Sequence, residues 1–375
     1  MLTSIRIQNF RSIRDASVKL GQVNLFIGPN NSGKSNFLKG IEFASKSIEG
    51  HKITQTEFDQ IITRTSIRAR TPEPNHPGLK KIQDIQLDAE FQSISPLVIP
   101  HNTVIIRRNG DVDTHHSHNF ATEETLTEFK NTVEQSAMED FSGDAPIRLK
   151  RILYNALVYK PDPARFTTTD SIEFAEKFES GGQNITNFLF NLSQNHKETF
   201  AKLEKDFEDC VGSLSRVATP ANPLIKGQLK LKFFDNQGNS YWVEEVSEGV
   251  LYFLALLCIV HQPTPPKLLL IEEPERGIHP RRIREVLDFI FELAYLRDIQ
   301  IIITSHSPYV VDQFADISEC ISVFDRKDGE TIIRNAADII NETNEELIEK
   351  GHKPIRYTDA LGEYWVSGFI GGVPA

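Results

Sequence analysis

The sequence lacks the features that mark membrane-spanning, secreted or disulfide-bonded proteins. No apolar run in its 375 residues approaches the roughly 18 residues that cross a bilayer. The N-terminus has no hydrophobic segment of a secretory signal. The cysteines Cys210, Cys258 and Cys320 are far apart, which argues against a CxxC metal site and against a disulfide framework. We therefore expect a cytoplasmic protein without a membrane partner.

An excess of positive charge is missing as well. The formal net charge of −11 excludes a surface that binds nucleic acid over its whole extent, but it leaves room for a local basic groove. Hydrophobic residues make up 39% and charged residues 25% of the chain, which indicates an ordinary globular protein. No internal repeat is visible, and the length suits one large or two ordinary domains.

A phosphate-binding motif lies near the N-terminus. Gly28, Gly33, Lys34 and Ser35 fit the pattern Gly-x-x-x-x-Gly-Lys-Ser, and the apolar run Val23–Ile27 before them has strand character. A helical pattern follows. In this setting backbone amides and the helix N-terminus bind phosphate oxygens, the lysine reaches the outer phosphates and the serine hydroxyl holds Mg²⁺. The predicted nucleotide contacts are Gly28, Pro29, Asn30, Asn31, Ser32, Gly33, Lys34, Ser35 and Asn36.

The segments on either side of this motif are less specific. Residues 2–8 and 16–20 alternate like strands of a half-exposed sheet, and residues 9–13 predict the turn between them. Residues 50–81 are polar and contain several prolines, which predicts a long loop. Two interpretations stay open for the arginines of this loop: solvated side chains, or contacts to nucleic acid or to a partner's nucleotide. These arginines are Arg64, Arg68 and Arg70.

A histidine-rich segment follows two further predicted strands, at residues 82–91 and 103–108. We expect it to form an exposed polar turn, because no carboxylate or cysteine lies at the spacing of metal ligands. A metal site is the alternative. The histidines are His115, His116 and His118.

Residues 120–215 predict a helical insertion. Apolar residues recur at intervals of three and four over 122–141 and 171–210, with charged neighbours, as in amphipathic helices. We expect three apolar residues of the second helical segment in the core: Phe188, Leu189 and Leu192. Strand character resumes at residue 228.

Two later segments contain residues that suit phosphate chemistry. The turn at Ser247 and Gly249 opens a predicted helix over residues 251–260, with Ser247 as its N-cap and with free amides at the positive helix end. Residues 268–273 predict a buried strand that ends in Glu272 and Glu273, at the sheet edge where ligands bind in open α/β sheets.

Adjacent carboxylates at such an edge favour a bound cation, and Mg²⁺ is a suitable one. One carboxylate would then hold the metal while the other orients the attacking water. Residues 301–304 predict another buried strand, and His306 lies just beyond its end. Because His306 follows the phosphate-binding motif and the two glutamates in the same ordered series, we expect it to be functional.

The ordered set of motifs resembles the ABC-type ATPase heads of the SMC/RecF/OLD branch, which are related to AAA-labelled ATPases of phage-defence and genome-maintenance systems. The resemblance covers about residues 1–48 and 226–325. It implies an α/β fold, namely a P-loop NTPase of the ABC-type head with a mixed sheet and a helical insertion, which uses ATP and Mg²⁺. The resemblance implies that residues 28–35 form the Walker A loop and that Ser35 and Glu272 bind the metal. It implies catalytic roles for Glu273, for His306 as the switch near the γ-phosphate, and for Lys34 at the phosphates. Ser247 and Gly249 would belong to the signature loop, and residues 277–280 to the D-loop.

The resemblance also implies a shared site. In such heads the signature loop of one subunit closes over the nucleotide of another, so we expect a homodimer or higher oligomer held together by ATP. The chain departs from the family in its Ser-Glu-Gly signature, where many members have Ser-Gly-Gly-Gln, and in Glu272, where aspartate is common in transporters. The Q-loop glutamine is not assigned among three candidates, Gln55, Gln60 and Gln83.

These patterns predict four segments. They are the first part of the ATPase head (1–119), the helical insertion (120–215), the second part of the head (216–345) and a C-terminal tail (346–375). The apolar, glycine-rich end of the tail either packs on its own domain or docks on another subunit.

The leading hypothesis is an ATP-hydrolysing head that drives or gates a nucleic-acid-directed complex, in phage defence or genome maintenance. OLD proteins carry a Toprim nuclease after the ATPase, and too few residues follow His306 for one. We therefore expect the effector, a nuclease for example, on a separate chain, with DNA as a further partner. The alternatives are a slow nucleotide-dependent scaffold that sequesters a partner protein, a DNA repair or recombination ATPase and, disfavoured by the motifs, the energy subunit of a transporter.

Overall fold

The computed structural model describes residues 1–50, 84–91, 98–107, 112–120, 150–166, 170–276, 278 and 280–372. Its strands are β1 (Leu2–Phe10), β2 (Ile13–Lys19), β3 (Val23–Ile27), β4 (Asp84–Phe91), β5 (Val98–Arg107), β6 (Val112–Phe120), β7 (Val158–Tyr159), β8 (Asp170–Ser171), β9 (Arg216–Ala218), β10 (Gln228–Leu229), β11 (Lys232–Phe234), β12 (Ser240–Trp242), β13 (Leu268–Glu272), β14 (Gln300–Thr304), β15 (Ile321–Lys327) and β16 (Glu330–Asn335). Its helices are α1 (Lys34–Ile48), α2 (Ile185–Asn195), α3 (Lys197–Val211), α4 (Glu248–Val260), α5 (Pro280–Arg297), α6 (Pro308–Asp312), α7 (Ala336–Glu349) and α8 (Leu361–Val366).

The chain divides into two compact units. The first comprises residues 1–156, 267–270 and 297–375, and the second comprises residues 157–266 and 271–296. Each of the described helices is too short or too polar to cross a membrane.

An antiparallel sheet in the first unit has the strand order β2–β1–β4–β5–β6. In β1 the apolar Leu2, Ile5, Ile7 and Phe10 are buried, while polar neighbours are partly exposed. This alternation lets one face of the sheet pack on the core, and it confirms the strands predicted at residues 2–8 and 16–20.

The histidine-rich segment forms strand β6, so the predicted polar turn was wrong. Its backbone pairs with β5, and His115 and His116 lie opposite Thr103 and Asn102. Pairing to a neighbouring strand satisfies the backbone groups whatever the local polarity, so tertiary context overrides the composition of the segment. The metal site considered for these histidines stays a prediction.

A mixed sheet forms the other layer of the first unit, with the strand order β16–β15–β3–β14–β13, where β13 takes part through residues 268–270. Strand β3 pairs in parallel with β14 and β15, whereas β15 and β16 are antiparallel. All residues of β3 and β14 are buried, as expected for parallel strands covered on both faces. The predicted α/β class with a mixed sheet is confirmed.

Helix α1 anchors the phosphate-binding motif to this core. Its Phe37 packs edge-on against Phe26 of β3, with 5.6 Å between the ring centroids, and lies 5.9 Å from the ring of Phe324 in β15. Leu38 and Ile41 on the same helix face are fully buried. The aromatic contacts fix the start of α1 relative to the end of β3.

The second unit is built on helices α2, α3 and α4 and on a small antiparallel sheet with the order β12–β11–β9. Helix α4 is buried from Gly249 to Val260, which explains its continuous apolar sequence. In α2 the side chains of Phe188, Leu189 and Leu192 are buried, as predicted.

The helical insertion differs in part from the prediction. Of the two expected helices, the one at 122–141 lies outside the described residues. The other begins only at Ile185, because Gly182 has a φ of 76° that a helix does not allow, and it is interrupted at His196, where φ is −132° and ψ is 54°. The short strands β7 and β8 also fall within residues 120–215.

The end of the C-terminal tail packs within the first unit up to residue 372. Trp365 is fully buried and its indole Nε1 donates a hydrogen bond to the Gly372 carbonyl oxygen at 2.8 Å. The Gly362 backbone N–H donates to Asp312 Oδ1 at 2.7 Å, which ties α8 to α6. Val366 and Phe369 remain exposed, and docking of the tail on another subunit stays a prediction.

Candidate functional site

The phosphate-binding loop depends on two glycines for its shape. Gly28 and Gly33 have φ values of 143° and 113°, in the region that favours glycine. A Cβ on Gly28 would overlap the carbonyl oxygen of Phe324, and one on Gly33 would overlap the hydroxyl of Thr331. The two glycines are therefore required both by backbone conformation and by close packing against β15 and β16.

The lysine of the loop is held over the loop carbonyls. Lys34 Nζ donates hydrogen bonds to the Gly28 oxygen at 2.7 Å and to the Pro29 oxygen at 3.0 Å. The residue is only 5% exposed, so its charge is placed within the loop rather than in solvent. A phosphate group entering the loop would meet this ammonium group.

Two hydroxyl groups of the loop have different surroundings. Ser32 Oγ is buried and has no hydrogen-bond partner in the described part of the chain. Such an orphaned buried hydroxyl is costly, and an oxygen of a bound phosphate would satisfy it. Ser35, in the first turn of α1, is exposed, which suits the predicted metal ligand.

The turn after β1 supports the start of α1. Asn36 Nδ2 donates to Ser12 Oγ at 2.8 Å, and Ser12 Oγ lies 3.0 Å from Thr331 Oγ1. Arg11, with a φ of 53°, donates to Asn36 Oδ1 at 3.4 Å. The sequence predicts a turn at residues 9–13 but not these contacts. The contact with Thr331 spans 319 positions and leaves no local signal.

His306 lies at the same sheet edge as the phosphate loop. Thr304 pairs with Phe26 in the parallel register of β14 and β3, so the positions two residues later are Gly28 and His306. The Ser305 backbone N–H donates to the Phe26 oxygen at 3.1 Å, which holds the chain in this register. His306 is half-buried. The structure thus brings together the predicted Walker A residues and the predicted switch histidine.

The predicted Walker B carboxylates belong to the second unit, where a lysine joins them. Lys160 Nζ lies 3.4 Å from Glu272 Oε2 and 3.3 Å from Glu273 Oε2. Glu272 Oε1 is buried and has no hydrogen-bond partner among the residues that the structure describes. Glu273 has a φ of 48°, an uncommon conformation for a residue other than glycine. Lys160 was missed by sequence reasoning, since 112 positions separate it from Glu272.

The predicted signature residues lie at the N-terminus of α4. Ser247 is the N-cap residue and is exposed, although its side chain makes no capping hydrogen bond within the described chain. Gly249 is buried, and a Cβ there would lie 3.4 Å from Arg282 Cδ of α5. Of the predicted D-loop, Gly277 and His279 lie outside the described residues.

The cysteines offer no reactive thiolate. All three are free, and burial, followed by the nearby charge of Glu292, raises the pKa of Cys210 to about 12. Burial also raises the pKa of Cys258 and that of Cys320. Because the thiolate is the nucleophilic form, these shifts argue against cysteine chemistry.

The chain matches two family models. The one described as "AAA ATPase domain" covers residues 1–211, and the one described as "AAA domain, putative AbiEii toxin, Type IV TA system" covers residues 142–312. Among curated proteins, the OLD nuclease of Thermus scotoductus is 23% identical over an alignment of 331 residues that covers 83% of this chain. The chain spans 60% of the length of that relative. The ATPase resemblance found in the sequence is confirmed.

Solved structures similar to this chain include heads of SMC proteins. The SMC head domain from Thermotoga maritima is 14% identical, with 89% of this chain and 98% of that one covered and a TM-score of 0.46. The Smc head domain of Pyrococcus furiosus, bound to the C-terminal domain of ScpA, is 13% identical, with 91% and 98% covered and a TM-score of 0.49.

Proposed function

Because this chain belongs to the AAA ATPase domain family, we propose that it is an ABC-type head that binds ATP with Mg²⁺ and hydrolyses the bond between the β- and γ-phosphates. The observation that carries this proposal is the phosphate loop: Lys34 is held over the loop carbonyls, and the two loop glycines, Gly28 and Gly33, can bear no side chain. A buried ammonium group in a glycine-containing loop at the N-terminus of a helix is suited to bind phosphate oxygens.

Each predicted site residue then has a role. The backbone of residues 28–36 binds the phosphates, and Lys34 neutralises charge that develops on the transferred group. Glu273 orients the attacking water, and His306 contacts the γ-phosphate. When bound, Mg²⁺ supplies Lewis-acid stabilisation of the phosphate oxygens.

Ser35 and Glu272 would hold this Mg²⁺. An exposed serine hydroxyl and a carboxylate are oxygen donors, which Mg²⁺ prefers. The unsatisfied Glu272 Oε1 supports the assignment, since a buried carboxylate oxygen requires a partner.

The site would be completed by a second copy of the chain. In this proposal, ATP on one subunit contacts Ser247 and Gly249 of the partner subunit. The exposure of Ser247 at the positive end of α4 supports this role, because a helix N-terminus favours a phosphate oxygen. ATP would then join two subunits and hydrolysis would release them.

We place this ATPase in a nucleic-acid-directed complex of anti-phage defence, with an effector on a separate chain. The similarity to a curated OLD nuclease supports the proposal that the complex acts on nucleic acid. Two alternatives remain, a slow nucleotide-dependent scaffold that sequesters a protein and a DNA repair or recombination ATPase. ATP turnover measured with DNA, with a partner protein and alone separates the three.

A surface of the second unit favours a nucleic-acid partner. Lys232 and Phe234 share one face of β11 and lie opposite Trp242 and Arg216 in the neighbouring strands. The Arg216 guanidinium lies 4.8 Å from the Phe234 ring centroid, and Lys232 Nζ lies 4.8 Å from that of Trp242. Interleaved cations and aromatic rings suit single-stranded nucleic acid, whose bases stack on rings while its phosphates attract cations.

The direct test of the site compares Lys34→Ala with Lys39→Ala, which removes an exposed lysine from the same helix. We expect Lys34→Ala to weaken ATP binding by about ten- to hundredfold, as for the loss of hydrogen bonds to a charged group. Lys39→Ala should bind ATP like the parent protein. Isothermal titration calorimetry measures both, and unchanged affinity in Lys34→Ala would contradict the assignment.

A further inference from the structure

The two carboxylates at the end of β13 already have a cation between them. Lys160 follows β7, and its Nζ reaches Oε2 of Glu272 at 3.4 Å and Oε2 of Glu273 at 3.3 Å. The side chains of the two glutamates are 11% and 31% exposed, so both charges are partly removed from water. Adjacent carboxylates in such a place repel each other unless a positive charge lies close to both.

The position of Lys160 is fixed by its backbone. Its N–H donates a hydrogen bond to the Ser180 carbonyl oxygen at 2.8 Å, which joins the end of β7 to the segment before α2. The side chain is 37% exposed and therefore has room to move while the backbone stays in place. A lysine suits this arrangement, because its ammonium group is a compact charge on a flexible stem.

We propose that Lys160 is a positioning residue that holds Glu272 and Glu273 together in the metal-free protein and competes with Mg²⁺ for them. This inference rests on the proposed function for the identity of the metal. A Mg²⁺ ion that binds the unpaired Glu272 Oε1 meets the positive charge of the ammonium group on Oε2 of the same carboxylate, so the lysine opposes loading by the metal alone. Loading together with ATP is favoured, since the nucleotide phosphates supply further oxygen ligands to the metal.

The test is a titration with Mn²⁺ alone, followed through the electron paramagnetic resonance signal of the free ion. Lys160→Met keeps an unbranched side chain that is one heavy atom shorter and removes its charge. We expect it to bind Mn²⁺ at least about tenfold more tightly than the parent, a change of the size seen when groups around a metal site are altered. Lys160→Arg retains the charge and should stay within about twofold of the parent. Lys202→Met, which removes an exposed lysine of α3, should bind like the parent.

The direction of the change separates this role from a merely structural one. A structural lysine would loosen the carboxylates when removed and weaken metal binding, whereas a competing lysine strengthens it. Unchanged or weaker Mn²⁺ binding in Lys160→Met overturns the proposal. If that variant is insoluble, Lys160→Gln is titrated in its place, with the same outcomes.

A second readout is the melting temperature in the absence of nucleotide. Lys160→Met should melt below the parent without metal and should gain more stability from added Mg²⁺, because the metal replaces the missing cation. An equal gain in both proteins contradicts the competition. Both measurements are made without ATP, so a negative result would contradict the role of Lys160 and not the proposed ATP hydrolysis. ATP hydrolysis is tested separately by turnover of the parent protein, and ATP binding by Lys34→Ala.

Discussion

Glu273 is held in an unusual backbone conformation at the end of a buried strand. Its φ of 48° is rare outside glycine, and the Arg276 N–H donates to its carbonyl oxygen at 3.0 Å, which closes a turn. Backbone strain of this kind costs about 1–3 kcal/mol and persists where the surrounding structure enforces it, often at functional sites. The turn gives Glu273 a fixed position directly after Glu272.

Replacing this carboxylate tests its role in hydrolysis. Glu273→Gln keeps the shape of the side chain, but its neutral amide cannot take a proton from water and holds the water less strongly than a carboxylate, so we expect turnover to fall by about 10²–10⁴-fold. ATP affinity should stay close to that of the parent. Phosphate release and nucleotide binding are measured in parallel, and normal turnover would remove Glu273 from its proposed role.

Residues that act through local sequence were predictable, and residues that act across the fold were not. The loop from Gly28 to Ser35 is one continuous motif, so its chemistry can be predicted without the structure. Lys160 lies 112 positions from Glu272, and a lysine in an apolar context carries no sign of a distant carboxylate. Thr331 and Phe324, which make the glycines obligatory, are equally invisible before strands β15 and β16 are placed.

At the scale of elements, buried parallel strands were predicted best. Strand β3 matches the predicted residues, and β14 and β13 lie within one residue of them, because a continuous apolar run bounded by polar residues admits few alternatives. The prediction of a helix over residues 171–210 was wrong for its first part. Its periodicity extended through Gly181 and Gly182, where backbone conformation rather than hydrophobic pattern decides.

The C-terminal helix α8 is expected to stabilise the first unit. Trp365→Ala removes a fully buried indole and its hydrogen bond to Gly372, and a loss of about 3–5 kcal/mol in the free energy of unfolding follows from the cavity it leaves. Val366→Ala, at an exposed position of the same helix, should cost no more than about 0.5 kcal/mol. Denaturation by urea compares them, and equal stability of the two variants would show that the tail does not support its own unit.

The sheet formed by β9, β11 and β12 is expected to contribute to nucleic-acid binding. Trp242→Ala removes a ring whose centroid lies 5.1 Å from Lys230 Nζ and 4.8 Å from Lys232 Nζ, and we expect it to weaken binding of single-stranded DNA by about 1–3 kcal/mol. Lys232→Glu should weaken the binding of single-stranded DNA more at low salt than at high salt, because salt screens the attraction between lysine and phosphate. Fluorescence anisotropy measures both, with Lys202→Glu on α3 as the control. An affinity for single-stranded DNA equal to that of the control would exclude this face of the sheet as a nucleic-acid-binding surface.

For the whole molecule, we expect two copies to pair only when ATP is bound. Glu273→Gln with Mg²⁺ and ATP should form dimers, since bound ATP is retained, and should be monomeric without nucleotide. Adding Ser247→Arg should prevent the dimer, because a bulky side chain at the exposed N-cap would obstruct the partner's phosphates. Size-exclusion chromatography with light scattering gives the masses. A dimer that forms equally without ATP would argue against nucleotide as the link.

The sharing of one ATP by two copies of this chain is best tested by an experimental structure of Glu273→Gln with Mg²⁺ and ATP. We expect the γ-phosphate to lie within hydrogen-bond distance of Lys34 of one subunit and of Ser247 of the partner subunit. A nucleotide enclosed by a single copy, with Ser247 of every neighbouring copy remote from it, would show that the site is not shared.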